Sequence, residues 1–74
     1  MNNWIRVLRA EKRFSQAEIA ELVGVSRNSI NSIENGKFDP SLPLAFRIAH
    51  VFGLSVEDVF DKTETIAEVN SPNM

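Results

Sequence analysis

Side chains that could recognise another molecule are concentrated in one short stretch, between Ser26 and Lys37. The stretch is rich in serine, asparagine and basic residues, and its single acidic residue is Glu34. Asparagine pairs with adenine and arginine with guanine through two hydrogen bonds each, and serine contacts several base edges. This composition favours hydrogen bonding to nucleic acid, provided that one surface presents the side chains together.

A helix beginning at Arg27 would place these side chains on one face. Successive residues of an α-helix are separated by about 100° around its axis. Ile30 and Ile33 then lie at about 300° and 240° from Arg27. The polar side chains fall between about 40° and 140° on the same geometry; they are Asn28, Asn31, Ser32 and Asn35. The sequence therefore predicts a helix with an apolar anchoring face and an exposed face of amides and hydroxyls.

A second short helix and a tight turn are predicted immediately before this one. Ser15 is a favourable N-cap with Glu18 three residues later, the arrangement of a capping box, so the helix starts at Gln16. Gly24 ends it, because glycine adopts the left-handed conformation without steric cost. Ser26 then caps the following helix. The helix N-termini at Gln16 and Ser26 would offer backbone N–H groups to phosphates.

The major groove of B-DNA is about 12 Å wide and accepts one α-helix that carries short polar side chains on its outer face. The candidate base-reading residues are Arg27, Asn28, Asn31 and Ser32. The alternative is an ordinary solvated helix face, which would need no partner. The helix-turn-helix arrangement around these residues favours contact with double-stranded DNA.

Three further helices complete the predicted fold. The helical spacing of Trp4, Ile5 and Leu8 predicts the first helix, and Ser41 and Ser55 are N-caps for a fourth and a fifth. The predicted apolar stripe of the fourth helix comprises Leu42, Ala45, Ile48, Ala49 and Phe52. The sequence thus predicts an all-α domain of five helices over residues 1–61, followed by a short tail at residues 62–74.

The composition bounds the class of protein. Seventy-four residues, 43% of them apolar and 24% charged, are typical of one small globular domain. The chain has no cysteine and one histidine, His50, which removes thiolate chemistry and cysteine-based metal sites. Without convergent carboxylates or a glycine-rich phosphate loop, we expect neither an enzyme nor a cofactor nor a metal site. No apolar run approaches the roughly 18 residues of a membrane span, so we expect a cytoplasmic protein with no membrane partner.

The formal net charge of −2 would disfavour a nucleic-acid partner if it were evenly spread. Residues 1–38 contain six Lys or Arg and four Asp or Glu, a balance of +2. Residues 39–74 contain two and six, a balance of −4. The predicted reading helix lies in the basic half, so we expect DNA binding with modest nonspecific affinity.

Several short motifs resemble the Cro/phage-repressor type helix-turn-helix family. They are Ser15-Gln16, Ile19-Ala20, Gly24-Val25-Ser26, Ile30, Ile33-Glu34, Gly36-Lys37 and Pro40-Ser41-Leu42. The match spans about residues 5–60 and covers the turn, the caps, the core positions and the following loop together. The resemblance implies a lambda-repressor-like fold whose third helix docks into the major groove.

The resemblance also implies roles for individual residues. Gln16 corresponds to a glutamine that clamps a phosphate, and Asn35 and Lys37 correspond to contacts with the DNA backbone after the recognition helix. Arg9 and Glu34 correspond to a structural ion pair that joins helix one to helix three. The base-reading positions of the family correspond to Arg27, Asn28 and Ser32. Asn31 is a further candidate reader.

Apolar residues in the second half exceed what one small core accommodates. Leu44, Phe46, Val51 and Phe60 do not all fit the predicted stripes, so some of them should form an exposed patch. Packing within the core alone is the alternative. We expect a homodimer through the fifth helix and the outer side of the fourth, with His50 packed or interfacial. Such a dimer would present two reading helices about 34 Å apart to a pseudo-palindromic site.

Two functions remain open at this point. The first is a sequence-specific DNA-binding transcriptional regulator, most simply a repressor that occludes a promoter. The second is a protein-interaction module, such as an antitoxin or adaptor, in which DNA binding is secondary; the acidic second half and the short tail keep it open. The short segment after Asp61 leaves little room for the neutralising segment that an antitoxin usually carries.

Overall fold

The computed structural model describes residues 2–60 and contains five α-helices in that range. They are α1 (Ile5–Lys12), α2 (Gln16–Val23), α3 (Arg27–Glu34), α4 (Leu42–Phe52) and α5 (Val56–Val59). The all-α, five-helix prediction is therefore confirmed. The predicted domain boundary at residue 61 and the tail at 62–74 lie outside the described residues.

Serine side chains start four of the five helices, as predicted. Ser15, Ser26, Ser41 and Ser55 each accept a hydrogen bond from the backbone N–H three residues later. Ser15 belongs to a complete capping box, because Glu18 also accepts from the Ser15 backbone N–H at 2.9 Å. These caps set where α2 and α3 begin, and hence which side chains stand at their N-termini.

Gly24 makes the reversal between α2 and α3. Its φ of 80° is left-handed, and its N–H donates to Ala20 O at 2.9 Å. A Cβ at this position would meet no atom within 4 Å. The requirement for glycine therefore comes from the backbone conformation, since a side chain would be strained there whatever the space around it.

The core lies where α2, α3 and α4 meet. Four isoleucines at its centre are 0 or 1% exposed: Ile19, Ile30, Ile33 and Ile48. The ring of Phe14, in the loop between α1 and α2, lies 6.5 Å from the ring of Phe52 at the end of α4. This packing fixes the angle of α3 relative to α2, because both of the isoleucines of α3 are fully enclosed.

The predicted stripe of α4 was wrong at its first turn. Leu44 is buried, whereas Leu42 is 64% exposed. Leu44 lies one turn before Ile48, about 40° from it around the axis, so it shares the core-facing side. Leu42 lies outside that arc. Leu44 therefore belongs to the core of the single chain and does not form part of an exposed patch.

The two ends of the described segment are joined. Phe60 follows α5 in extended conformation and forms an isolated antiparallel bridge with Asn3. The N–H of Trp4 donates to Val59 O at 2.8 Å. Phe60 is 3% exposed, so it is also a core residue and not part of an exposed patch. Trp4 is the N-cap residue that precedes α1, and it is 55% exposed.

No helix among residues 2–60 is both long enough and apolar enough to cross a membrane.

Candidate nucleic-acid interface

The outer face of α3 carries the predicted reading set. Arg27, Asn28 and Asn31 are exposed and Ser32 is half-buried, while the isoleucines on the opposite face are enclosed in the core. Because the anchoring face is rigidly packed, the four polar side chains project from a fixed surface. The arrangement has the polarity and the shape that a major groove accepts.

Two of these side chains have their hydrogen-bonding groups available. Within residues 2–60, no hydrogen bond to another side chain or to the backbone engages the amide of Asn28 or the hydroxyl of Ser32. Asn31 differs, because its Oδ1 accepts from Gln16 Nε2 at 3.2 Å. Its Nδ2 remains able to donate, and Oδ1 retains a second lone pair.

Gln16 connects the start of α2 to α3. Its Nε2 donates to Asn31 Oδ1 at 3.2 Å and to Glu34 Oε1 at 3.3 Å. The family resemblance implied a phosphate clamp at this position. In the structure both hydrogens of the Gln16 side-chain amide point at protein acceptors. The backbone N–H groups of Gln16 and Ala17, in the first turn of α2, remain available to a phosphate without any rotation of the side chain.

Ser26 places a second helix N-terminus beside the reading face. Its Oγ accepts from the backbone N–H of Ser29 at 3.1 Å and lies 3.0 Å from Ser29 Oγ. The side chains of Ser26 and Ser29 are therefore occupied by the cap. The backbone N–H groups of Arg27 and Asn28 are the donors that this turn offers to an anion.

Residues predicted to contact the DNA backbone lie beyond the other end of α3. Asn35 is the C-cap, and its Oδ1 accepts from Arg6 Nη2 at 2.9 Å. Lys37 is exposed, and its backbone N–H donates to Ser32 O at 2.9 Å. The structure thus brings a third group, the Arg6 guanidinium, to the same end of the helix.

An ion pair fixes α3 against α1. Arg9 Nε donates to Glu34 Oε2 at 2.6 Å and Nη2 donates to Glu34 Oε1 at 3.0 Å, a bidentate pair. The third nitrogen, Nη1, donates to Phe14 O at 3.0 Å. The Glu34 side chain is 1% exposed and that of Arg9 is 17% exposed. The pair therefore connects three parts of the chain at one point: α1, α3 and the loop that precedes α2.

The environment of Glu34 keeps its carboxylate ionised. Burial is the largest single effect and opposes ionisation, but the hydrogen bonds from Arg9 and Gln16 and the charges of Arg9 and Arg6 together outweigh it, so the pKa of Glu34 is lowered. The hydrogen bond to Glu34 raises the pKa of Arg9 in turn. The negative charge of Glu34, the one carboxylate of α3, is thereby balanced by the neighbouring arginines and does not repel the phosphates of a DNA backbone.

Three residues that support or border the candidate interface were not predicted from the sequence. Asn3 Nδ2 donates to Ile33 O at 2.8 Å, which ties the N-terminal segment to the last turn of α3. Arg47 Nε donates to Val23 O at 3.0 Å and satisfies a carbonyl at the end of α2.

Phe38 is 50% exposed and lies beside Asn28 and Ser32. An aromatic residue four positions after the end of α3 was the available signal for Phe38. A hydrogen bond to a distant carbonyl has no sequence signature.

Comparison with known proteins agrees with this geometry. The helix-turn-helix family model matches residues 5–59. An uncharacterized HTH-type transcriptional regulator from Methanocaldococcus jannaschii is 48% identical over 60 residues, covering 81% of this chain and 91% of its own length.

Solved structures show the same fold. The restriction-modification controller protein C.AhdI from Aeromonas hydrophila is 28% identical with a TM-score of 0.68, and the match covers 73% of this chain and 82% of that one. The master regulator for biofilm formation SinR, solved in complex with DNA, is 33% identical with a TM-score of 0.65, covering 72% of this chain and 86% of that one. The chain belongs to the helix-turn-helix family of transcriptional regulators, of the Cro/phage-repressor type that its motifs indicated.

Proposed function

We propose that this protein is a sequence-specific transcriptional repressor that binds a pseudo-palindromic DNA site as a homodimer. The observation that carries the proposal is the outer face of α3, where Arg27, Asn28, Asn31 and Ser32 project from a helix anchored by buried isoleucines. In the solved relative SinR, a chain of this fold is in complex with DNA.

Base recognition follows from the groups on that face. The amide of Asn28 carries a donor and an acceptor that match N7 and N6 of adenine. Arg27, at the first position of α3, offers the two-pronged donor set that matches O6 and N7 of guanine. Ser32 hydrogen-bonds to either type of edge. Three adjacent reading groups specify a short half-site, and each good bidentate pair discriminates by about 1–3 kcal/mol.

Phosphate contacts would hold this helix in register. The N-termini of α2 and α3 and the side chains of Lys37 and Asn35 surround the reading face on the protein surface. Backbone contacts carry no sequence information, but they fix the depth and the angle at which the helix enters the groove. The Gln16 amide contributes by steadying Asn31 and Glu34.

The overall charge makes a single reading helix a weak binder. The chain carries a formal charge of −2, so nonspecific attraction to DNA is small. A dimer that contacts two half-sites converts the second contact into an intramolecular event and raises the affinity without any new contact type. Dimerisation therefore belongs to the proposed mechanism.

An apolar groove between α4 and the start of α5 is the proposed dimer surface. Leu42, Phe46 and Leu54 line it and are 64%, 58% and 39% exposed. His50 also lines the groove and is exposed, so it is not packed within the single chain. Of the residues first assigned to the interface, Phe46 alone lies on this groove. Val51 is half-buried and lies about 140° from Phe46 around α4.

Repression is the simplest regulatory outcome for such a chain. A dimer that occupies a promoter blocks the polymerase without needing a contact to it. The protein-interaction alternative uses the same apolar groove for a different protein. The two are distinguished by whether the purified chain alone dimerises and binds DNA.

Selection of binding sites from a random double-stranded oligonucleotide pool tests the proposal. We expect a consensus with two inverted half-sites, and an affinity that falls linearly with salt on a logarithmic scale, with a slope near −0.9 per phosphate neutralised. Recovery of no enriched sequence from the purified chain would overturn the proposal.

A further inference from the structure

Phe38 stands at the edge of the proposed reading face with half of its surface in contact with water. It is 50% exposed, although it belongs to no helix and lies in a chain rich in buried aliphatic residues. Exposing this much phenyl surface to water is unfavourable, because transfer of apolar surface out of water is favourable. A single exposed phenyl ring needs no explanation in itself. The position of Phe38 does, because its neighbours include Asn28 and Ser32 of the proposed reading set.

The chain reversal after α3 carries Phe38 back along that helix. Gly36 has a left-handed φ of 75°, and its N–H donates to Ile33 O at 3.1 Å. The next N–H, of Lys37, donates to Ser32 O at 2.9 Å. These two bonds fix the backbone on both sides of the turn, so Phe38 is held beside the middle of α3.

Phe38 forms one wall of a shallow, open recess whose other walls are polar. Asn28, Ser29 and Ser32 line it together with the phenyl ring. The Ser29 hydroxyl is engaged with Ser26 Oγ at 3.0 Å. The amide of Asn28 and the hydroxyl of Ser32 make no such hydrogen bond within residues 2–60, so both can donate to a ligand, and both belong to the proposed reading set.

We propose that Phe38 is a specificity-determining residue that selects thymine at one position of each half-site. In the major groove thymine presents the O4 acceptor next to its C5-methyl group, and Phe is one of the side chains that contact this methyl group. A donor from Asn28 or Ser32 to O4 and the phenyl ring against the methyl group would satisfy both features at once. Cytosine offers a donor and no methyl group at the same place, so it matches neither.

The size of the expected effect follows from the methyl group. Burying one methyl-sized apolar group contributes about 0.8 kcal/mol, which corresponds to a change of about fourfold in affinity. Because the proposal rests on the proposed DNA-binding function, the experiment must separate a failure of thymine selection from a failure of DNA binding.

Parallel selection of binding sites with the wild-type chain and with Phe38→Ala makes that separation. Leu22→Ala is the matched control, because Leu22 is 58% exposed on α2 and does not line the recess. We expect wild type and Leu22→Ala to share one consensus. Phe38→Ala should retain that consensus but prefer one of its thymines about fourfold less strongly, because the hydrogen bond to O4 remains. Circular dichroism should show an unchanged fold.

Replacement of that thymine by uracil, which lacks only the methyl group, completes the test. The wild-type chain should lose about fourfold in affinity for the uracil site, whereas Phe38→Ala should bind both sites equally. A consensus unchanged by Phe38→Ala, or equal uracil effects on both proteins, would overturn the role of Phe38 while leaving DNA binding intact. Absence of any consensus with wild type would overturn both proposals.

Discussion

The side-chain amide of Gln16, at the first position of α2, donates to Asn31 Oδ1 on the outer face of α3 at 3.2 Å. The same nitrogen donates to Glu34, whose carboxylate is held by Arg9. A chain of hydrogen bonds thus links α1, α2 and α3 directly behind the proposed reading face. The orientation of Asn31 depends on this network as well as on the packing of α3.

Gln16 and Asn31 should behave as a coupled pair in DNA binding. Gln16→Ala removes the donor that orients Asn31, so part of its effect should disappear when Asn31 is already alanine. We expect a coupling free energy of about 0.5–1.5 kcal/mol in a double-mutant cycle on the selected site. Additive losses would indicate that Gln16 acts on DNA independently of Asn31, as a simple phosphate contact would.

Removal of Glu34 should destabilise the fold at neutral pH. Breaking a buried pair by removing one partner costs about 3–5 kcal/mol, and here Arg9 can partly reach water, so we expect about 2–3 kcal/mol for Glu34→Ala in urea unfolding. Glu21→Ala is the control, because Glu21 is exposed on α2. Equal stabilities of the two variants would contradict the structural role of the pair.

The same residue predicts how stability depends on pH. Since the pKa of Glu34 is lowered in the folded chain, its contribution is fully present above the unfolded value, about 4.3, and is lost as the pH falls through the folded value. As the pH is lowered below about 4, the unfolding midpoint of the wild type should therefore decrease more steeply than that of Glu34→Gln. Parallel curves for the two proteins would show that Glu34 is not the titrating group.

Phe46 should control the oligomeric state. Phe46→Ser removes the central apolar contact of the proposed groove, so we expect a shift from dimer to single chain in analytical ultracentrifugation and a loss of affinity for the two-half-site DNA. Leu22→Ser is the matched control, because both residues are 58% exposed and Leu22 lies on another helix. A single-chain mass for the wild-type protein at binding concentrations would contradict the dimer.

Local signals predicted the helices and the turn well, and long-range relationships less well. The serine caps and Gly24 act within four residues of their partners, so the sequence alone locates the boundaries of α2 and α3. The exchange between Leu42 and Leu44 was missed because the two lie at the edges of a broad apolar arc on α4. Which edge is buried depends on the neighbouring helices.

Phe60 illustrates the same limit at the end of the described chain. Its apolar character suggested an interface, but pairing with Asn3 turns the backbone so that the ring enters the core. That pairing joins residues 57 positions apart and leaves no local signature. The reading face was more accessible to prediction, because the angular spacing of Arg27, Asn28, Asn31 and Ser32 depends on helix geometry alone.

The affinity of Asn28→Ala for the selected site, measured beside its affinity for a scrambled duplex of equal length, tests the central claim most directly. A base-reading amide predicts a loss of about 1–3 kcal/mol on the selected site and no change on the scrambled one. An equal loss on both duplexes, or no loss on either, would contradict the assignment of the outer face of α3 as the surface that reads DNA.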